Sequence, residues 1–166
     1  MRLYDTASRS IREFTPIKKG EVGMYLCGAT VQGSPHIGHI RSSMVFDVLR
    51  RYFEFNKHKV VLVRNVTDID DKIIHNAGHE DITWWELAAR FEKEFTWAHE
   101  QLGNLTPTIE PRATGHITQM IEIIQTLIEK NHAYVAEGSV WFSVRSFRDY
   151  GSLSGQKIDE MLAAQD

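Results

Sequence analysis

The hydrophobic pattern of residues 21–65 predicts a strand, a helix and a second strand. The apolar run "VGMYLC", residues 22–27, is bounded by glycines, which favours a strand. After His39, apolar residues recur at spacings of three and four, as they do in an amphipathic helix. The run "KVVLVRN", residues 59–65, holds four consecutive apolar residues, which suits a strand covered on both faces. Together these elements predict one parallel βαβ unit with a right-handed crossover.

The predicted helix has an apolar side and a charged side. We expect the apolar side to pack inward, and its residues are Met44, Val45, Val48, Leu49, Tyr52 and Phe53. The charged side then faces solvent, with Asp47, Arg50, Arg51 and Glu54.

Beyond residue 65 the pattern predicts three more helices and a hairpin. A short helix follows "VTDID", a longer one runs from about residue 83 to 102, and a third ends near Asn131. A hairpin turns at Glu137 and Gly138. The four tryptophans lie at helical or strand spacing and are expected in the core.

Two parallel strands and a hairpin are few for a doubly wound domain, whose sheets have about four to six strands. Either strands are missed, or the chain is part of something longer.

Composition indicates a soluble globular chain. Its 166 residues are 42% hydrophobic and 25% charged, and no apolar run approaches the roughly 20 residues of a membrane span. The amino terminus lacks the apolar stretch of a secretory signal, so the cytoplasm is the expected compartment. A net charge of −3 argues against a broad nucleic-acid footprint on this piece. The single cysteine, Cys27, excludes an internal disulfide and a zinc site built from several thiolates of this chain.

The loop between the first strand and the helix carries two histidines. Ligands of open α/β sheets bind at the carboxyl ends of the strands, where a helix amino terminus favours phosphate. His36 and His39 are three residues apart, so their imidazoles can lie on one side and donate hydrogen bonds to phosphate oxygens. Two other interpretations stay open at this point: the rings are exposed or cap the helix, or they form part of a zinc site.

The carboxylates that follow the second strand have two interpretations. Asp68, Asp70 and Asp71 can cap the next helix and match its dipole. The same D-x-D-D cluster can instead hold Mg²⁺ for phosphoryl transfer.

The sequence "HIGH", residues 36–39, follows "YLCGATV" and precedes "VRNVTDIDDKI". This combination resembles the class I aminoacyl-tRNA synthetases, and the cysteinyl-tRNA synthetases in particular. The resemblance continues through "EPRATGHI" to "YGSLSGQ". It implies an α/β fold with a partial Rossmann-like (HUP-type) parallel sheet that binds nucleotide. The first half of that catalytic domain would cover residues 1–105, and the start of a connective-peptide insertion would cover about 106–166.

The resemblance also implies a chemistry. Cysteine would be activated by ATP to cysteinyl-adenylate and then transferred to tRNA(Cys). In this family His36 and His39 would be catalytic, and His36, Ile37, Gly38 and His39 would bind ATP, which is used with Mg²⁺. The substrate cysteine would lie against Cys27, Gly28 and Thr67.

The family also has a zinc ion that binds the substrate thiol. Cys27 matches the first zinc ligand, and the other ligands, the Lys-rich "KMSKS" loop and the tRNA-binding regions lie downstream of this sequence. The resemblance therefore implies a truncated, inactive portion of a monomeric enzyme with one zinc ion and no membrane contact.

Three competing functions remain. A mycothiol-pathway ligase of the same fold joins cysteine to a small sugar and differs beyond this sequence. A small HxGH nucleotidyltransferase would need a complete sheet within this length, so three more strands would favour it. A non-catalytic synthetase-like module would bind a nucleotide or protein without chemistry.

Overall fold

The computed structural model describes residues 1–163, without the side chains of residues 161–163. The last three residues of the predicted insertion, 164–166, lie outside the described residues. The elements in chain order are β1 (Arg2–Asp5), β2 (Ser10–Glu13), β3 (Glu21–Leu26), α1 (Ile37–Phe55), β4 (Lys59–Arg64), α2 (Asp71–Glu80), α3 (Trp84–Gln101), α4 (Ile117–Glu129), β5 (Ala133–Ala136), β6 (Ser139–Phe142) and α5 (Ile158–Ala163). They fall into two compact units, Pro16–Ile117 and a unit of Met1–Thr15 with Thr118–Asp166.

The unit Pro16–Ile117 is built on the predicted βαβ motif. Strands β3 and β4 pair in parallel, with Glu21 opposite Lys59 and Leu26 opposite Arg64, and α1 connects them. The pairing continues past both strands, because Val31 N–H donates to the Thr67 carbonyl and Thr67 N–H donates to the Ala29 carbonyl. The predicted parallel βαβ unit is confirmed.

A further segment lies beside the free edge of β4. Isolated parallel bridges join Val63 to Ile109 and Val66 to Arg112. The pattern did not predict this pairing because prolines at 107 and 111 interrupt the segment and remove backbone donors. The segment therefore makes bridges rather than a regular strand.

The core of this unit lies between the ends of the two strands and the helices α1, α2 and α3. Its buried residues are Val31, Ile40, Val66, Ile73, Ala77, Leu87, Ala88 and Phe95. Asp70 caps α2, since its Oδ1 accepts from Lys72 N–H at 2.9 Å. The Glu86 carboxylate accepts from Thr83 N–H at the start of α3. The two predicted helices over this stretch are confirmed.

The predicted inward face of α1 is correct at Phe53 and wrong for most of its other residues, which are exposed. Val45 and Val48 are 60% and 66% exposed, whereas Ile40, Ser43, Asp47 and Phe53 are buried. The buried polar side chains bind the loop that follows α3: Asp47 Oδ1 accepts from Leu105 N–H, and Ser43 Oγ accepts from Asn104 Nδ2. Periodicity alone cannot reveal that the inward face carries polar partners for a distant loop.

The expectation that all four tryptophans lie in the core is also wrong. Trp85, Trp97 and Trp141 each expose more than half of their surface. Only Trp84 packs against the core, and it is partly buried there. The buried residues of α3 that join Trp84 at the core are Leu87, Ala88 and Phe95.

The second unit contains two antiparallel hairpins and two helices. β1 pairs with β2, and β5 pairs with β6. The β5–β6 turn is the predicted one, with Glu137 and Gly138 at φ values of 52° and 75°. The β1–β2 hairpin was not predicted, because its short strands lack an alternating apolar pattern. Among the described residues, no helix has the length and apolar character needed to cross a membrane.

Candidate functional site

A pocket of about 260 Å³ opens at the carboxyl ends of β3 and β4. Residues from 26 to 31 and from 64 to 66 supply the strand ends, and the first turns of α1 supply Gly38, His39, Ser42 and Ser43. Residues of α3 between 92 and 99, together with Glu110, close the remaining wall. This is the position at which ligands of open α/β sheets bind.

Cys27 and Gly28 directly follow β3 and line the floor of the pocket. The Cys27 side chain is exposed and its thiol is free. Gly28 lies so close to β4 that an added Cβ would be 1.6 Å from the Asn65 carbonyl oxygen. Only glycine fits there, so its role is to let two strand ends meet beneath the pocket.

The Asn65 side chain hydrogen-bonds to residues on both sides of this floor. Its Oδ1 accepts from Gly28 N–H at 2.9 Å and from the Tyr25 hydroxyl at 3.1 Å. Its Nδ2 donates to Thr67 Oγ1 at 3.2 Å. Thr67 thus orients Asn65 and pairs through its backbone with residues 29 and 31.

The two histidines cap the amino terminus of α1. His36 Nδ1 accepts from Gly38 N–H at 3.1 Å, and His39 Nδ1 accepts from His36 N–H at 3.2 Å. An added Cβ on Gly38 would be 2.9 Å from His36 Cε1, so the glycine makes room for the ring. The capping interpretation of the pair is correct for this geometry.

Capping also fixes which ring nitrogens carry protons. Because each Nδ1 accepts a backbone hydrogen, the proton of each neutral ring lies on Nε2. The centroids of the two imidazole rings are 3.8 Å apart, and the His39 ring contacts the Phe95 ring in a tilted arrangement with centroids separated by 5.4 Å. Burial lowers the pKa of His39, and the neighbouring His36 lowers it further. With Nδ1 accepting from the backbone, each ring therefore offers an Nε2–H donor.

The far wall carries polar residues that the sequence did not indicate as functional. Arg64 and Glu110 form a salt bridge with N···O distances of 3.0 Å and 2.7 Å. His99 Nδ1 lies 2.6 Å from the Phe95 carbonyl oxygen, so Nδ1 carries the proton and Nε2 has a lone pair. Burial lowers the pKa of His99, and the positive charge of Arg64 adds to this effect. The only sequence signal for these residues was their place beside strand ends and on α3.

The three carboxylates after β4 do not act together. Asp70 caps α2, as one of the two interpretations predicted, and Asp71 lies in its first turn. Asp68 is buried and accepts from the backbone N–H of Thr114 at 3.0 Å and from the Thr114 hydroxyl. Capping by Asp68 is therefore wrong, because this side chain holds the segment after Arg112 against the end of β4.

The pocket brings together some of the predicted site residues. Cys27, Gly28, Gly38 and His39 line it, whereas the described lining does not include His36, Ile37 or Thr67. His36 and Thr67 instead orient lining residues through the bonds given above.

The donors present do not complete a metal site. Among residues 1–163, no group of three or more His, Cys, Asp and Glu side chains is placed to hold a metal ion. Cys27 alone offers a thiol, which is one of the four ligands that structural zinc takes.

Comparison with known proteins identifies the family. Residues 13–166 match the family model described as "tRNA synthetases class I (C) catalytic domain". The chain belongs to this family. The predicted class I resemblance is confirmed.

Among curated class I (C) relatives is the cysteine–tRNA ligase of Streptomyces avermitilis. It is 54% identical over 162 residues, which are 98% of this chain and 35% of that protein. The chain thus spans about a third of the length of this relative.

Solved structures confirm the fold of the class I (C) chain. Methionyl-tRNA synthetase of Mycobacterium tuberculosis, in complex with methionyl-adenylate, superposes with a TM-score of 0.61 at 14% identity, over 74% of this chain and 28% of that one. The agnB2 LeuRS of Agrobacterium radiobacter K84, in a ternary complex with tRNA and LeuAMS, gives a TM-score of 0.62 at 16% identity, over 74% of this chain and 16% of that one. The predicted partial Rossmann-like fold is confirmed.

Proposed function

We propose that this chain is the amino-terminal portion of a cysteine–tRNA ligase and that its pocket holds ATP and L-cysteine during formation of cysteinyl-adenylate. The observation that carries the proposal is the 54% identity to a cysteine–tRNA ligase over 98% of the chain. The complete protein then transfers the cysteinyl group to tRNA(Cys) in the cytoplasm, as a monomer.

The phosphate end of the pocket is the amino terminus of α1. The first turn of α1 contains no acidic residue, so its dipole is free to attract an anion. The Nε2–H groups of His36 and His39 donate to phosphate oxygens of ATP and to the charge that develops at the α-phosphorus. Gly38 and Ile37 bring the backbone of this turn close to the triphosphate.

The amino-acid end of the pocket is the floor formed by the strand ends. Cys27 and Gly28 contact the substrate cysteine, and Thr67 supports them through Asn65. The Arg64–Glu110 pair also lines this pocket and offers both charges to a zwitterionic amino acid. The cysteine carboxylate attacks the α-phosphorus, and pyrophosphate leaves.

Cys27 is the described residue that we propose as a zinc ligand in the complete protein. In the complete protein, a zinc ion would select the thiol of cysteine over the hydroxyl of serine, because zinc prefers thiolate ligands. The described residues do not complete such a site, so no step is assigned to it here. We also propose that the 166-residue chain by itself does not activate cysteine, since it spans 35% of the curated relative.

Cysteine-dependent ATP–pyrophosphate exchange tests the function. We expect the full-length protein to catalyse exchange with cysteine, and His39→Ala to lower kcat/KM by about 10²–10³-fold through loss of a donor to the reacting phosphate. His132→Ala is the matched control, because the His132 ring is bonded to Ser146 outside this pocket.

Two results contradict the proposal. One is unchanged exchange in His39→Ala, and the other is no exchange with cysteine by the full-length parent. The second result would favour the non-catalytic module.

Transfer of cysteine to tRNA, rather than to an aminosugar, separates the proposal from the mycothiol-pathway ligase. The described strands form three two-stranded sheets, so the complete sheet required by a small nucleotidyltransferase is not supported.

A further inference from the structure

Helix α2 carries a pair of histidines that the proposed function does not use. His75 and His79 are four residues apart on the helix, and both are exposed. Their Nε2 atoms lie 2.9 Å apart, and the rings are perpendicular with centroids separated by 4.4 Å. The core residues of α2, Ile73 and Ala77, lie on its other side. The pair is therefore accessible from solvent and is held on a regular element.

The ring nitrogens of this pair are available to a metal ion. One Nε2 donates its hydrogen to the other, so two nitrogens share one proton. Moving that proton to Nδ1 of the same ring leaves two Nε2 lone pairs side by side. The His36 and His39 pair differs, because its Nδ1 lone pairs accept backbone hydrogens and its Nε2 atoms carry protons.

The spacing of the two Nε2 atoms is compatible with neighbouring positions in the coordination sphere of one ion. We take metal–nitrogen bonds of about 2.05 Å. Two nitrogens 2.9 Å apart then subtend an N–metal–N angle of about 90° at the metal. Tetrahedral zinc would need the nitrogens about 3.3 Å apart at the same bond length. An angle of 90° is the cis angle of octahedral and square-planar ions, and imidazole suits both nickel and copper.

We propose that His75 and His79 form a two-histidine chelate for a divalent ion of the nickel and copper class, with water in the remaining coordination positions. The chelate joins successive turns of α2. Because Ile73 and Ala77 anchor α2 in the core, an ion that binds only the folded helix stabilises the unit Pro16–Ile117.

Nickel titration tests the chelate directly. The 166-residue chain carrying Cys27→Ser is titrated with Ni²⁺ by calorimetry, since this substitution removes the free thiol as a competing ligand. We expect one ion per chain. His75→Ala or His79→Ala in the same background lowers the affinity by about a hundredfold, because the second bond is intramolecular only when both rings are present. His116→Ala, which removes another exposed histidine, leaves the affinity unchanged.

Two further readouts decide the assignment. Ni²⁺ should raise Tm in the Cys27→Ser chain and should not raise it in His75→Ala. Paramagnetic Ni²⁺ should broaden the ring signals of His75 and His79 before those of other histidines. Equal affinity in the parent and both alanine variants, or first broadening at His36 and His39, overturns the proposal. Circular dichroism verifies that the exposed substitutions leave α2 folded.

Discussion

At the scale of single residues, the site depends on where ring protons and lone pairs lie. Capping of α1 by His36 and His39 occupies both Nδ1 atoms and leaves an Nε2–H donor on each ring. A helix cap and a phosphate site are therefore compatible uses of the same side chains. The sequence presented them as alternatives, because spacing alone does not show which nitrogen accepts from the backbone.

The motif identified Cys27, Gly28, Gly38 and His39 as site residues, and these four line the pocket. His99, Asn65 and Glu110 were not predicted. Glu110 reaches the pocket through pairing between distant segments, such as the bridge of Val63 to Ile109, and His99 reaches it from α3, and periodicity encodes neither arrangement. Residues within one continuous loop were therefore easier to identify than residues from facing elements.

The histidine His99 predicts a dependence of stability on pH. Burial and Arg64 lower its pKa from the ordinary value of 6.5. In the unfolded chain the ordinary pKa returns, so the unfolded state binds more protons as the pH falls below about 6.5. The free energy of unfolding should therefore decline as the pH falls from about 7.5 through about 6.5, and His99→Gln should reduce that decline.

Urea denaturation across this pH range measures the effect. His116→Gln is the control, because it removes an imidazole from an exposed position outside the pocket lining. The same dependence on pH in the parent and in His99→Gln would show that His99 does not contribute.

At the scale of elements, the acids after β4 divide between two tasks. Asp70 caps α2, whereas Asp68 binds Thr114 and so fixes the segment beside β4 to the end of that strand. The existence and type of the main helices followed from periodicity and capping residues. The face that α1 turns inward did not, since Ser43 and Asp47 are buried there for their hydrogen bonds to residues 104 and 105.

This division predicts graded losses of stability. Asp68→Ala should lower the free energy of unfolding by about 1–3 kcal/mol, because the partly buried N–H of Thr114 loses its acceptor. Asp70→Ala should cost about 1 kcal/mol, as loss of a helix cap does. Asp71→Ala serves as the comparison, since that side chain is exposed in the first turn of α2 and should cost least. Chemical denaturation orders the three variants, and an equal loss in all three would contradict these separate roles.

At the scale of the whole molecule, α1 presents an apolar surface to solvent. Ile37, Val45 and Val48 are exposed, although the helix has the pattern of a covered element. The curated relative is almost three times as long as the portion matched here, which is 35% of it. We expect this face of α1 to be covered in a protein of that length, because large exposed apolar patches are uncommon in soluble proteins.

A charge placed on this face of α1 tests whether the face is exposed in the 166-residue chain and covered in the full-length protein. Val48→Lys should leave Tm unchanged in the 166-residue chain, where the side chain is 66% exposed. In the full-length protein the same substitution should lower Tm by several degrees, because an unpaired ammonium group would be buried under the covering segment. Gln101→Lys adds the same charge at an exposed polar end of α3 and should be neutral in both proteins. An unchanged Tm for Val48→Lys in the full-length protein would mean that the face stays in water, whereas an equal drop in both proteins would mean that Val48 already packs within the shorter chain.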